Sequence, residues 1–241
     1  MSFNIHHGRG TDGVVDLARI AGVIRASGAD VAGLQEVDRN FGERSHWADQ
    51  AAGLAERLDC HVAYGANVDR DPPAPGKPRG QFGTAVLSRY PIARGQNTHL
   101  FRSPGEEQRG LLHAEIDVSG RPLQVFVTHL DPFSQTDRAR QARQVVDLVG
   151  GHDPAVLLGD FNARPDTPEI GGLRARLTDT WAAAEGGRPL ATVPADAPAA
   201  CIDYIFTSQR LKAVWTGLHT GDPVASDHLP VVSRLVLDTG S

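Results

Sequence analysis

The sequence predicts a layered α/β domain in which helices cover mixed β-sheets. Three observations predict this class. Amphipathic helical segments alternate with short apolar strands along most of the chain, one hairpin in the middle is antiparallel, and the last three strands follow each other without a helix between them. No internal repeat and no clear linker divides the 241 residues, so we expect a single domain over residues 1–241.

The first helix is predicted at residues 11–27, where apolar side chains recur at 3- and 4-residue spacing. Thr11 or Asp12 can cap its start, and Gly28 can end it in a left-handed conformation. Short apolar runs on either side of this helix predict strands at 2–8 and 30–38.

The second helix is predicted at residues 45–59 and is followed by strands at 61–68 and 82–90. The segment 69–81 between these strands is rich in Pro and Gly, which predicts a surface loop.

The clearest hairpin joins the alternating apolar runs 111–118 and 121–130 through Ser119 and Gly120. Residues 137–150 form a helix that turns Ala142, Val145, Val146 and Val149 inward. The remaining predictions are an apolar strand at 155–158, a helix near 167–177, a loop at 186–200 rich in Pro, Ala and Gly, and strands at 202–208, 212–219 and 229–237.

Composition favours a globular protein that does not insert into membranes, because 40% of residues are hydrophobic and no apolar run reaches the roughly 20 residues of a membrane span. The net charge is −5, and no run of Lys or Arg stands out. Nucleic acid is therefore not the favoured partner, since polyanion binding needs clustered cations. Cys60 and Cys201 form neither a disulfide framework nor a metal-binding spacing. We expect a cytoplasmic monomer, the alternative being that an export signal precedes Met1 in the native protein.

Polar side chains recur directly after apolar strands. Taken one at a time, most such residues are solvated and carry no function. Taken together, they comprise four carboxylates, two amides and two histidines, which is the inventory of a site that holds a hard divalent cation and moves protons. They are Asn4, Glu36, His129, Asp160, Asn162, Asp203, Asp227 and His228.

Seven short motifs occur in order and resemble those of the endonuclease/exonuclease/phosphatase superfamily. Together, GDFN, SDH and QEV are far more specific than any one of them. The resemblance covers nearly the whole chain, from about residue 2 to about residue 237. The motifs are FNIHHG, LQEVD, GQFGTAVLSRYPI, THLD, LLGDFNA, IDYIF and SDHLP.

The resemblance implies a four-layer α/β/β/α sandwich of two mixed sheets, like that of deoxyribonuclease I, with the site at one rim. It also implies Mg²⁺- or Mn²⁺-dependent hydrolysis of phosphoester bonds. On this basis Glu36 is the principal metal carboxylate. The other residues that the resemblance associates with the metal are Asn4, Asp160, Asn162, Asp227 and His228.

The resemblance assigns catalytic roles to five residues. His129 faces the phosphate, where its cationic form would stabilise negative charge or protonate the leaving oxygen. Asp203 pairs with His228, and His228 together with Asp160 positions the attacking water. Asn162 donates to a phosphate oxygen or binds a second ion.

Two further residues are candidates for substrate binding. Arg109 matches an arginine common in the family, and it either contacts the phosphate or makes a structural ion pair. His6 shares a strand face with Asn4 by the two-residue period, so it either reaches the site or only borders it. Thr84 departs from the family pattern, in which Asn is usual, and Trp47 replaces a small residue where it could wall a pocket.

The function favoured by the sequence is a metal-dependent phosphoesterase that acts on a small or lipid-derived phosphate ester. A nuclease is the first alternative, and it requires a positive groove. A binding module with a vestigial site is a second, and a site recruited to a reaction at a non-phosphate group is a third. The cations available for a nuclease groove are Arg70, Lys77, Arg79, Arg89 and Arg94.

Overall fold

The computed structural model describes residues 1–183 and 189–237, which form two six-stranded sheets and five helices. The strands are β1 (Ser2–Asn4), β2 (Val31–Arg39), β3 (His61–Arg70), β4 (Gly80–Ser88), β5 (Ile92–His99), β6 (Gly110–Val118), β7 (Arg121–His129), β8 (Ala155–Asp160), β9 (Thr178–Asp179), β10 (Asp203–Thr207), β11 (Leu211–Leu218) and β12 (Val231–Leu237). The helices are α1 (Leu17–Ser27), α2 (Gln50–Leu58), α3 (Gln135–Val149), α4 (Pro168–Arg174) and α5 (Thr180–Ala183).

Both sheets are mixed, as the sequence predicts. The first has the order β11-β12-β1-β2-β4-β3, and its one parallel pair is β1 with β2. The second has the order β5-β6-β7-β8-β10-β9, and its one parallel pair is β7 with β8. Among the described helices, none is both long and apolar enough to cross a bilayer.

Two hydrophobic clusters define the layers. In one, Ile20 and Ile24 of α1 and Leu54 of α2 pack with Phe3 and Leu34 of the first sheet. The other fills the space between the sheets and extends under α3 and α4. The layers are therefore helix, sheet, sheet and helix, which confirms the predicted four-layer sandwich.

The sheets approach each other closely at Gly33 of β2. A Cβ atom built there would lie 2.7 Å from Val127 Cγ2 and 2.8 Å from Leu158 Cδ1 of the second sheet. Glycine is required here because any side chain would force the sheets apart. This contact lies on β2, three residues before Glu36.

Helix starts are where the sequence prediction was wrong. The first helix begins at Leu17 and is capped by the Asp16 side chain, which accepts from the N–H groups of Ala18 and Arg19, not by Thr11 or Asp12. Gly28 ends it in the left-handed conformation, as predicted. The second helix likewise begins late, at Gln50 after an Asp49 cap.

The strand predictions hold for the hairpin of β6 and β7, which pair through the turn at Ser119 and Gly120. Three elements were not predicted, namely β5, β9 and α5. The strands β3 and β4 extend into the predicted 69–81 loop at both ends, and the fourth helix is shorter than 167–177. Residues 186–188 of the predicted 186–200 loop lie outside the described residues.

Candidate active site

Three of the predicted site residues lie in one row across the second sheet. His129 is the register partner of Asp160 in the parallel pair β7/β8, and Asp160 is the register partner of Asp203 in the antiparallel pair β8/β10. Register partners project to the same face of a sheet. His129 Nε2 lies 3.6 Å from Asp160 Oδ2, and all three side chains are buried.

His228 completes this row from the loop before β12. Its Nδ1 lies 2.9 Å from Asp203 Oδ2, and its Nε2 lies 3.7 Å from Asp160 Oδ2. The same Asp203 oxygen accepts a hydrogen bond of 2.5 Å from the hydroxyl of Thr192. Asp203 therefore holds the imidazole in one orientation, with Nε2 directed toward Asp160.

The first sheet contributes Asn4 and Glu36. The Asn4 amide donates to Glu36 Oε1 at 3.0 Å and to Asp160 Oδ2 at 3.1 Å. Its own oxygen accepts from the backbone N–H of His6. One amide nitrogen thus bridges a carboxylate from each sheet and makes the two carboxylates near neighbours.

Glu36 is aimed at the site by an irregularity in β2. The register of β2 against β4 shifts between Leu34 and Val37, which is a β-bulge, and Glu36 has φ of 57°. Bulges re-aim side chains, and a left-handed conformation in a residue other than glycine is uncommon and costly. Thr84 lies opposite this bulge with a buried hydroxyl that has no hydrogen-bond partner.

The remaining candidates surround this centre. Asn162 has φ of 49°, donates its amide to the Leu130 carbonyl and donates its backbone N–H to Asp160 Oδ1. Asp227 is partly exposed, and its Oδ1 lies 3.7 Å from His6 Nδ1. The prediction that His6 shares a strand face with Asn4 was wrong, because β1 ends at Asn4 and His6 lies in the turn that follows, with φ of 45°.

Arg109 is buried beside His129. Its Nη1 lies 3.2 Å from Glu107 Oε1, while its buried Nε has no hydrogen-bond partner. The structural ion pair predicted as one alternative is thus present. Trp47 is 43% exposed on the loop after β2.

The electrostatics make His228 a cation in the arrangement described. Burial alone would lower the pKa of His228, but the charge of Asp203, its hydrogen bond and the charge of Asp160 outweigh burial and raise that pKa to about 10. A protonated imidazole donates hydrogen bonds and cannot ligate a metal.

His129 has the opposite electrostatics. Burial, then the positive charges of Arg109 and His228, hold the pKa of His129 well below its usual range. The ring is therefore neutral at neutral pH, whereas the sequence interpretation made it a cation. Burial and the charge of Asp203 raise the pKa of the Asp160 carboxyl, which makes it a better proton acceptor.

The donor set fits a hard divalent cation. Glu36 and Asp160 are carboxylates held close together, and neither has a Lys or Arg partner among the described residues. In the part of the chain that the structure describes, buried Asp203 Oδ1 has no hydrogen-bond partner. Two negatively charged carboxylates held this close repel each other, and a cation between them would relieve that repulsion. Mg²⁺ and Mn²⁺ prefer oxygen ligands of this kind.

Two residues of this site were missed at the level of sequence. Thr192 sits in a Pro/Ala/Gly-rich loop with no pattern that marks it as a partner of Asp203. Ser226 belongs to the SDH motif, where it could have been found, and its hydroxyl donates to the Asn4 carbonyl at 2.7 Å. Through Ser226, the loop that carries His228 is tied to β1.

Comparisons with known proteins agree with this geometry. A model of the endonuclease/exonuclease/phosphatase family matches residues 1–228. The uncharacterized protein YbhP of Escherichia coli K12 is 29% identical, over 92% of this chain and 88% of that protein. The endonuclease/exonuclease/phosphatase from Beutenbergia cavernae superposes with a TM-score of 0.86 at 33% identity, over 98% of this chain and 70% of that one.

A more distant solved structure shares the fold. The mannosyl-6-phosphatase Bt3783 of Bacteroides thetaiotaomicron has a TM-score of 0.77 at 20% identity, and 98% of each chain is covered. The fold is thus that of deoxyribonuclease I, as the resemblance implied. With the family match over residues 1–228 and the row of site residues at one rim of both sheets, the chain belongs to the endonuclease/exonuclease/phosphatase family, whose members hydrolyse phosphoester bonds.

Proposed function

We propose that this protein is a Mg²⁺- or Mn²⁺-dependent phosphoesterase that hydrolyses a small or lipid-derived phosphate ester by attack of water on phosphorus. One observation carries the proposal. The Asn4 amide holds Glu36 and Asp160 together, and Asp160 also lies 3.7 Å from the ring of His228, which is paired with Asp203. The Asp160 carboxylate thus belongs both to the pair of carboxylates that would bind a cation and to the group of residues that would transfer protons.

Asp160 orients and deprotonates the attacking water in this mechanism. Its Oδ1 is occupied by the backbone N–H of Asn162, and its Oδ2 faces Asn4, His129 and His228. Without a bound cation, burial and the charge of Asp203 raise the pKa of Asp160, which favours proton acceptance by this carboxylate.

The two histidines divide the remaining work. His228 is protonated and held by Asp203, so it donates from Nε2 to a phosphate oxygen on which charge develops. His129 is neutral, so it donates one hydrogen bond without adding a charge. Arg109, buried beside His129 with its Nε unpaired, adds a guanidinium donor to the same phosphate.

Glu36, Asp160, Asp227 and the Asn162 oxygen are the groups that would hold the cation, while Asn4 orients the two carboxylates. A bound divalent cation supplies Lewis-acid activation of the phosphoryl oxygens. His228 would join these ligands only in its deprotonated form.

The charge around the rim favours a small substrate over long nucleic acid. Arg79 is paired with Asp69 and Asp71, and Arg70 stacks on the ring of Phe41. These cations are engaged by neighbours in the protein, which makes them less available to a polyanion.

Two further cations of the predicted groove lie at the other end of the sandwich. Arg89 follows the end of β4, where it pairs with Asp30, and Arg94 lies near the start of β5. The carboxyl end of β2, with Glu36, is at the opposite rim. Arg89 and Arg94 therefore cannot join a nucleic-acid groove at the site.

The name of one structural neighbour also supports a small substrate. The neighbour called a mannosyl-6-phosphatase acts, by its name, on a phosphate ester of a small sugar. A compact substrate of that kind requires few phosphate contacts.

A panel of phosphate esters tests the proposal. We expect Mn²⁺ to support hydrolysis of small phosphomonoesters or of bis-p-nitrophenyl phosphate, and EDTA to abolish it. Oligonucleotides should be cleaved more slowly and without a steep salt dependence. Full activity in EDTA would refute metal dependence. A strong preference for oligonucleotides would favour the nuclease, and no hydrolysis with any ester would favour a recruited reaction or a binding module.

A further inference from the structure

The turn after β1 brings two histidines against Glu36. One nitrogen of His6, one nitrogen of His7 and one Glu36 oxygen lie within 4.8 Å of one another. The His6 and His7 rings are 4.6 Å apart between centroids and inclined at 72°. We propose that His6, His7 and Glu36 form a second cation site, which takes a transition-metal ion of the Zn²⁺ type and shares Glu36 with the neighbouring Mg²⁺ or Mn²⁺ position beside Asp160.

Among the described residues, one ring nitrogen of each histidine has no hydrogen-bond partner. His7 is only 7% exposed, and its Nδ1 is buried without a hydrogen-bond partner. His6 Nδ1 is also buried without a hydrogen-bond partner, since the nearest carboxylate oxygen, on Asp227, is 3.7 Å away. Buried polar atoms left unpaired cost free energy, so two of them beside a carboxylate indicate a ligand.

The backbone around the two histidines is fixed by the protein. The Gln50 amide, fully buried, donates to the His7 carbonyl at 2.6 Å and accepts from the Asp38 N–H. The His6 N–H donates to the Asn4 oxygen. These bonds hold His6 and His7 at φ of 45° and 44°, conformations that residues with a Cβ rarely adopt. The rings are thus presented by a supported turn.

The ligand type distinguishes this group from the neighbouring oxygen site. Two imidazoles and one carboxylate suit Zn²⁺ and related transition metals, whereas Mg²⁺ prefers oxygen ligands. Ligand atoms around tetrahedral Zn²⁺ are about 3.4 Å apart, given metal–ligand distances of about 2.1 Å. Ligand atoms that lie within 4.8 Å of one another must therefore close by up to about 1.4 Å, a movement that we assign to rotation of the His6 and Glu36 side chains.

Binding at this group can be measured without any reaction, so its outcome is independent of the phosphoesterase proposal. The protein is stripped of metal and titrated with Zn²⁺ in the presence of excess Mg²⁺, which keeps the oxygen site filled. We expect one Zn²⁺ per chain. His6→Ala and His7→Ala should each weaken it by at least about tenfold, on the scale of losing a metal-site group.

Two control variants locate the ion. His61→Ala removes an exposed histidine at the far end of β3 and should leave Zn²⁺ affinity unchanged. His228→Ala should also leave it unchanged, because His228 belongs to the cluster with Asp160 and Asp203. Equal Zn²⁺ affinity in wild type, His6→Ala and His7→Ala, or a loss confined to His228→Ala, would overturn the proposal.

A measurement on the wild-type protein covers the case in which His7→Ala does not fold. Zinc K-edge absorption of the loaded protein should show two imidazole ligands, and Zn²⁺ should protect His6 from diethyl pyrocarbonate while His61 stays reactive. A spectrum with fewer than two imidazoles, or equal modification of His6 with and without Zn²⁺, would contradict the proposal.

Discussion

The second sheet delivers His129, Asp160 and Asp203 through strand register, whereas the first sheet delivers Glu36 through a bulge and His6 and His7 through a left-handed turn. Side chains in register are placed by the regular ladder. Those on irregular backbone are placed at the cost of unfavourable φ angles. The difference indicates that the groups of the second sheet are positioned by regular pairing, whereas those of the first sheet depend on irregular backbone.

The largest expected effect is at Asp160, the middle residue of the row of register partners His129, Asp160 and Asp203. Asp160→Asn should lower kcat/KM by at least about 10²-fold, because it removes the general base while keeping the shape of the side chain. Steady-state hydrolysis of the best ester from the panel measures it. Asp166→Asn, exposed on the loop after β8, is the matched control and should keep normal activity. A loss of kcat/KM under about threefold for Asp160→Asn would show that Asp160 is not the general base.

His129→Ala tests the other side of the row. We expect kcat to fall by about 10²-fold, since a positioned donor to the phosphate or leaving oxygen is lost. His61→Ala, at the opposite end of the sandwich, provides the comparison and should be unaffected. If both variants hydrolysed the ester equally fast, the role assigned to His129 would be wrong.

The link between His228 and Asp203 should appear in the pH dependence of stability in EDTA. The pKa of His228 in the folded protein is about 10, above the ordinary 6.5. The stabilisation that the His228–Asp203 pair gives to the folded state is therefore complete below about pH 6.5 and is lost as the pH rises through about 10. The difference in Tm between wild type and Asp203→Asn should therefore shrink over that range. A difference that stays constant with pH would contradict the assigned charge of His228.

The smallest effect concerns the group that supports Asp203. Thr192→Val keeps the shape of the side chain but leaves the buried carboxylate with one donor fewer. Unfolding free energy should fall by about 1–3 kcal/mol. Thr136→Val on the exposed side of α3 should change it by less than about 0.5 kcal/mol. Equal stability of the two variants in urea would show that the Thr192 hydroxyl does not hold Asp203.

The regular parts of the fold were predictable because they depend on local pattern. The hairpin of β6 and β7 follows from strict alternation and a Ser-Gly turn, and His129, Asp160 and Asp203 each stand at a strand end. Parallel and antiparallel neighbours then bring these ends to one edge of the sheet.

The errors arise where tertiary structure overrides local signals. Thr11 and Asp12 look like helix caps, but a bridge between Arg9 and Val15 and a turn at Gly13 take up that segment. The strand β5 was missed because it is a largely exposed edge strand without apolar alternation.

Irregular backbone is equally hidden from the sequence. Nothing in the QEV motif reveals the bulge that aims Glu36, because a bulge depends on pairing between β2 and β4. Thr192 reaches Asp203 only through the path of a long loop. The half of the site that depends on the first sheet was therefore assigned by family resemblance and not by pattern.

The central claim is that both sheets hold one Mn²⁺ or Mg²⁺ ion, and Mn²⁺ binding followed by electron paramagnetic resonance tests it most directly. With Zn²⁺ absent, Glu36→Gln from the first sheet and Asp160→Asn from the second should each weaken Mn²⁺ binding by at least about tenfold. Glu43→Gln, exposed on the loop after β2, should bind like wild type. Wild-type Mn²⁺ affinity in either Glu36→Gln or Asp160→Asn would contradict a cation site shared between the sheets.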